Sequence, residues 1–70
     1  MEHRVISRTE AIRALDKMQK KALGPDYSED DLTDFSEYSN DALEAEVCLS
    51  GYIDESELGA VVDDEDLKKN

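Results

Sequence analysis

The chain is short of most things that build chemistry. Its 70 residues include one histidine (His3), one cysteine (Cys48), one phenylalanine (Phe35) and no tryptophan. A single cysteine permits no internal disulfide, so the covalent staple usual in small secreted domains is missing. With His3 alone near the terminus, a Ser/His/Asp or Cys/His catalytic arrangement has no second anchor, and zinc has no Cys/His set. Gly24, Gly51 and Gly59 form no phosphate-binding loop. No apolar run approaches the ~20 residues of a membrane span. Met1 to Ala11 lacks the apolar stretch of a signal peptide, so a cytoplasmic setting without membrane contact is expected. A single domain of this length buries only about 60% of its unfolded surface. That leaves little room for an enclosed pocket, and a non-catalytic function without a cofactor is expected.

Bases are missing over most of the chain. Residues 1–24 carry six of them (Arg4, Arg8, Arg13, Lys17, Lys20, Lys21) against three acids, whereas residues 25–70 carry sixteen acids against Lys68 and Lys69. From Asp26 to Leu67 there is no base at all, and the formal net charge is −11. Self-repulsion in such a segment opposes compaction and favours a positively charged partner. The acidic part is repelled by nucleic acid and by anionic membranes.

Helix start and stop signals are legible. Ser7 with Glu10 makes a capping box, Ile6 is placed to staple against Ala11, and Ala11/Ile12, Leu15, Met18 and Ala22/Leu23 repeat at helical spacing. Lys17, Lys20 and Lys21 suit the C-terminal end of the dipole and Gly24-Pro25 supplies the stop, which predicts a helix near 8–23. Ser28 opens a second signature. From Leu32 the apolar positions Phe35, Ser39, Ala42, Leu43, Val47 and Leu49 fall within roughly 160° of one helical face. One helix to about Leu49, or two separated at Tyr38-Ser39-Asn40, both satisfy the pattern, with Gly51 as the end. Ile53-Asp54-x-x-Glu57-Leu58 is a third cap, predicted to open a short helix through Val62, and 63–70 reads as a frayed tail. The expected fold is therefore one all-α domain, a small bundle of three or four short helices. An α+β alternative pairs Glu46 to Ile53 with Ala60-Val61-Val62 as a C-terminal hairpin.

In the long-helix reading, Asp30, Asp34, Glu37, Asp41 and Glu44 line the face opposite the apolar stripe. Spacings of three and four residues put neighbouring carboxylates about 5–6 Å apart in a row about 21 Å long. Like charges so spaced destabilise a helix by a few tenths of a kcal/mol per pair, so a row with no lysine between them suggests use. Duplex DNA presents dense, regular negative charge, and the proteins that grip it do so with arginine and lysine clusters. In size and charge the chain resembles the small acidic DNA-mimic inhibitors, many from phages and mobile elements, that block restriction, CRISPR or DNA-repair enzymes. That resemblance implies inhibition by occupying the basic groove of a nucleic-acid-binding protein. The five acids would make the contacts, with Tyr38 and Tyr52 as aromatic anchors.

Three other readings compete. A regulatory adaptor or antitoxin would dock through an apolar helix face. Gly51 to Leu58 resembles the second half of an EF-hand loop, with Gly51 at the sharp turn, Asp54 at the ninth position and Glu57 at the twelfth. Glu46 and Cys48 depart from it where aspartates belong. Asp26 to Glu37 offers further ligand positions, but Asp31 replaces the required glycine. His3 to Ser7 followed by a helix resembles a ribbon-helix-helix antitoxin, although the second helix such a dimer core needs is densely acidic here. The basic first helix is expected to pair with the acidic half inside the fold. The thin core makes a homodimer a further expectation.

Overall fold

Two short strands from opposite ends of the chain lie side by side. In the computed structural model, which describes residues 3–68, β1 (Arg4–Ser7) pairs in parallel with β2 (Leu58–Val62), Ile6 beside Val61 and Ser7 beside Val62. The intervening chain forms the crossover: α1 (Arg8–Leu23), single 3-10 turns at Glu29–Asp31 and Phe35–Glu37, and α2 (Asn40–Ser50). A short helix, α3 (Asp64–Lys68), follows β2. The molecule is mostly helical with a small parallel sheet, an α/β arrangement rather than the all-α bundle expected. Parallel strands cannot share a tight turn and need a long crossover, so the two partners lie too far apart for local periodicity to reveal them.

The helix predicted through Val62 is replaced by a turn and a strand. The amides of Glu57 and Leu58 bond back to the Asp54 carbonyl at 2.8 and 3.0 Å, and Ser56 N–H donates to Asp54 Oδ1 at 3.1 Å. This closes a single turn. Gly59 and the β-branched Val61 and Val62 then favour extended backbone once β1 is there to pair with. The alternative hairpin is not formed either, since Glu46 to Ser50 complete α2 and β2 pairs with β1.

The first helix follows its signals. Ser7 Oγ accepts the Glu10 N–H at 3.0 Å, Ile6 and Ala11 are both buried, and Gly24 N–H closes the end on the Lys20 carbonyl at 3.1 Å. The second expected helix is divided, and only its later part is α-helical. Ser28, Asp34 and Ser39 each take an amide of the following turn with their own side chains. Side chains that satisfy amides locally compete with a continuing helix, and three such caps in twelve residues break it into two 3-10 turns and α2. The irregular stretch is clamped to α1 by Gln19, whose Oε1 accepts the Thr33 N–H at 2.8 Å while its Nε2 donates to the Thr33 carbonyl at 2.9 Å. Gly51, with φ 82°, ends α2 in the left-handed conformation.

One core joins all of this. Ile6, Leu58 and Val61 from the sheet meet Ala11 and Leu15 of α1, Phe35 of the second 3-10 turn, Leu43 and Val47 of α2, and Ile53. The ends of the elements are tied by polar contacts. Arg8 Nη1 donates to Asn40 Oδ1 at 3.0 Å and its Nη2 to the Ser36 carbonyl at 2.6 Å, while Asn40 Nδ2 donates to Asp63 Oδ1 at 3.2 Å. Within the segment read as a frayed tail, the Asp64 carboxylate receives both the backbone N–H and the hydroxyl of Thr9. Lys69 and Asn70 lie outside the described residues.

Two substitutions test this architecture by urea unfolding. A Cβ on Gly59 would sit 2.9 Å from His3 Cβ and 3.3 Å from the Arg4 carbonyl oxygen, where β1 passes closest to β2 at a bulge. Gly59→Ala is expected to destabilise by about 1–3 kcal/mol, although in a helix the same change would stabilise. Ser39→Ala is expected to cost about 1 kcal/mol through loss of the α2 cap, and no measurable loss would mean that α2 does not start there.

Candidate partner-binding surface

The five acids expected to form one row are distributed over three elements. Asp30 lies in the first 3-10 turn, Asp34 caps the second, Glu37 ends it, and Asp41 and Glu44 belong to α2. The single straight row is therefore not formed, because the backbone from 30 to 39 does not keep helical geometry. Asp34 lines a depression between α1 and the irregular stretch together with Arg13, Asp16 and Glu29. Asp41 and Glu44 line a different one, on the outer side of α2, together with Glu55. Asp30 and Glu37 are exposed.

Charge is segregated in space as it is in sequence. Arg13, Lys17, Lys20 and Lys21 recur at spacings of three and four along α1, on the side away from buried Ala11 and Leu15. The expected pairing of these bases with the acidic half is not what holds the fold. Arg4 pairs with Glu10 at 3.5 Å and Lys20 with Asp16 at 2.8 Å, both partners lying within α1. Among the described residues the acids from Asp26 to Glu57 make no ion pair. Several instead serve as turn caps. Asp34 accepts from the Ser36 hydroxyl and, at 3.0 Å, from its N–H, and these two bonds hold its carboxyl below the usual carboxylate range.

The two tyrosines differ. Tyr38 is half-buried and meets the Phe35 ring edge-on, centroids 5.1 Å apart, as part of the packing around the core. Tyr52 is exposed, and its hydroxyl donates to Glu10 Oε2 at 3.1 Å, the same oxygen that Arg4 approaches. Partial desolvation of the hydroxyl and then the Glu10 bond push the Tyr52 hydroxyl above its ordinary value. Cys48 is half-buried on α2; burial, and then Glu55, Glu44 and Asp54, raise its thiol, so it stays protonated at neutral pH.

The EF-hand resemblance does not carry into geometry. Glu46 to Ser50 are the last turns of α2 rather than the first half of a loop. Among the described residues no group of three or more His, Cys, Asp or Glu side chains is arranged to hold a metal ion. The ribbon-helix-helix resemblance extends to a strand followed by a helix, but β1 pairs in parallel with β2 of its own chain. Among the described residues no helix is long and apolar enough to cross a membrane. Comparison with known protein families, with curated proteins and with solved structures gives no match.

One residue was placed wrongly by its periodicity. Leu49 belongs to the predicted apolar stripe, yet it is 82% exposed on α2. The broken helix explains this. The stripe assumes eighteen continuous helical residues, and because α2 starts afresh at Asn40 its inward side is set by Leu43 and Val47 alone.

Asp34 gives a pH test. Its pKa is lowered on folding, so its contribution to stability is complete above the unfolded value, near 3.8, and is lost as pH falls through the lower folded value. The carboxyl shift of Asp34 followed by NMR should titrate below 3.8, and Ser36→Ala should move the midpoint up towards it. A midpoint unchanged by Ser36→Ala would mean that the hydroxyl bond does not hold the carboxylate.

Proposed function

We propose that the protein is a non-catalytic inhibitor that occupies the basic groove of a nucleic-acid-binding protein, its carboxylates standing in for phosphates. Anti-CRISPR, anti-restriction and repair-enzyme inhibition are the settings that suit this chemistry. The observation that carries the reading is the surplus of negative charge from Asp26 to Glu57, which no ion pair among the described residues offsets. A surface so charged steers fast encounter with an arginine- and lysine-lined cleft and rejects nucleic acid itself.

The geometry of the mimicry differs from a straight helical row. Carboxylates are displayed along an irregular path of 3-10 turns (Asp30, Asp34, Glu37) and then along α2 (Asp41, Glu44). Gln19 and the caps at Ser28, Asp34 and Ser39 hold this path against α1, which limits the ordering cost on binding. Tyr52, already tied to Glu10, presents a ring whose conformational freedom is reduced before contact. Tyr38 contributes by supporting Phe35 rather than by reaching outward.

The test begins with a tagged pull-down from a host lysate, eluted by stepwise salt and followed by a displacement assay on each captured protein with labelled duplex DNA. The expected partner leaves the column at moderate salt, binds DNA, and releases that DNA when the protein is added. Reversal of Asp34 and Asp41 to lysine should weaken displacement by at least about tenfold, or ~1.4 kcal/mol. A partner that stays bound at high salt, binds no nucleic acid and ignores the double reversal overturns the proposal.

A further inference from the structure

The outer side of α2 combines charge with an apolar centre. Asp41, Glu44, Ala45, Cys48 and Leu49 follow one another at three- and four-residue intervals and so share one face, while Leu43 and Val47 are fully buried on the other. Those five residues and Glu55, from the turn after Gly51, line a single shallow depression. Leu49 is by far the most exposed of the large hydrophobic residues among those described. It is not an isolated apolar side chain, since exposed Ala45 and the edge of Cys48, which also packs against the core, line the same depression. α2 is thus apolar on two sides, and the fold covers only one of them.

The carboxylates around Leu49 restrict what can cover the second side. An isologous contact between two copies through this face would set Asp41, Glu44 and Glu55 of one against the same residues of the other, and like charges juxtaposed across an interface are strongly disfavoured. A partner with an apolar floor and a rim of lysine or arginine satisfies both parts at once. A central apolar anchor ringed by polar contacts that exclude water is the arrangement in which a few residues dominate binding energy. Helices that lie in grooves are read through anchors at these intervals.

We infer that the outer face of α2 is the docking face of this protein, with Leu49 as its anchor, and that its partner presents an apolar-floored groove rimmed by lysine or arginine. This rests on the proposed occupation of a basic groove and adds an apolar contact that phosphate mimicry alone does not require. Charge would set the encounter rate and Leu49 the lifetime of the complex.

Two synthetic probes separate these contributions: a short amphipathic helical peptide of leucine and lysine, and a peptide of equal length and charge with alanine for leucine. Titration calorimetry and amide shift mapping would be run on the full chain at about 0.05 M and about 0.5 M salt. The leucine peptide is expected to shift Ala45, Cys48 and Leu49 and to bind at least about tenfold more tightly than the alanine peptide. Leu49→Ser is expected to remove that difference while lowering the urea midpoint only slightly, through the weaker helix propensity of serine, because the side chain is 82% exposed. Equal binding by wild type and Leu49→Ser, or shifts confined to residues 26–37, would overturn the inference. So would a self-association seen by sedimentation that Leu49→Ser abolishes, since a second copy would then be the occupant. The basic-groove reading fails separately if wild-type binding to either peptide does not weaken as salt rises.

Discussion

The parallel pairing of Arg4–Ser7 with Leu58–Val62 is the constraint from which the rest of the architecture follows. Its two strands come from the ends of the chain, so everything between them must serve as a crossover. A parallel sheet cannot stand open to water on both faces, because its strands are apolar and its connections are long. α1 and α2 supply the cover on one face. Ile6, Leu58 and Val61 point into the layer they create, where they meet Leu15, Leu43 and Val47. The close approach at Gly59 shows how little tolerance that pairing has, since a methyl group there would meet both the side chain of His3 and the backbone of Arg4.

A chain with this much negative charge must keep its acids apart while its ends come together. The fold does so by giving many of them local work. Asp31, Asp34 and Asp54 accept backbone amides in turns, and Asp63 and Asp64 receive Asn40 and Thr9 at the junction of α1, α2 and β2. Arg8 sits at that same junction and bonds to an amide oxygen and a carbonyl rather than to a carboxylate. Neutral, backbone and a few carboxylate acceptors hold the elements together through hydrogen bonds, and most of the negative charge is left facing outward. An outward surplus of that kind suits a binding surface better than a stability device, because exposed ion pairs contribute little to stability in any case.

The proposed docking face arises from the same break in the chain that removes the straight acidic row. A continuous helix from Leu32 would have put Leu49 at the edge of an apolar stripe and set five carboxylates in line. The caps at Asp34 and Ser39 divide that helix. With the inward side of α2 set by Leu43 and Val47, Leu49 is left exposed and lines one depression with Asp41 and Glu44. A purely electrostatic surface becomes one with an apolar centre and a charged rim, and specificity gains a steric component that charge alone does not provide.

Local signals carried much of this in advance. The limits of α1, the caps at Ser7, Ser28 and Ser39, the stops at Gly24 and Gly51, and the division of charge were all readable, because each depends on residues within a few positions of one another. The sheet was not readable. Val61 and Val62 have strand character in any context, but Ile53-Asp54-x-x-Glu57 also reads as a helix start, and only pairing with Ile6 and Ser7 turns the balance. The acidic row failed for a related reason: periodicity says which positions could share a face, whereas the competition between side-chain caps and helix hydrogen bonds says whether the face exists. Short-range hydrogen bonding and composition thus set the pieces and their charge. Closure of the two strands into a sheet, a pairing between residues more than fifty positions apart, decided that Leu58 and Val61 join the core as a strand rather than as a helix.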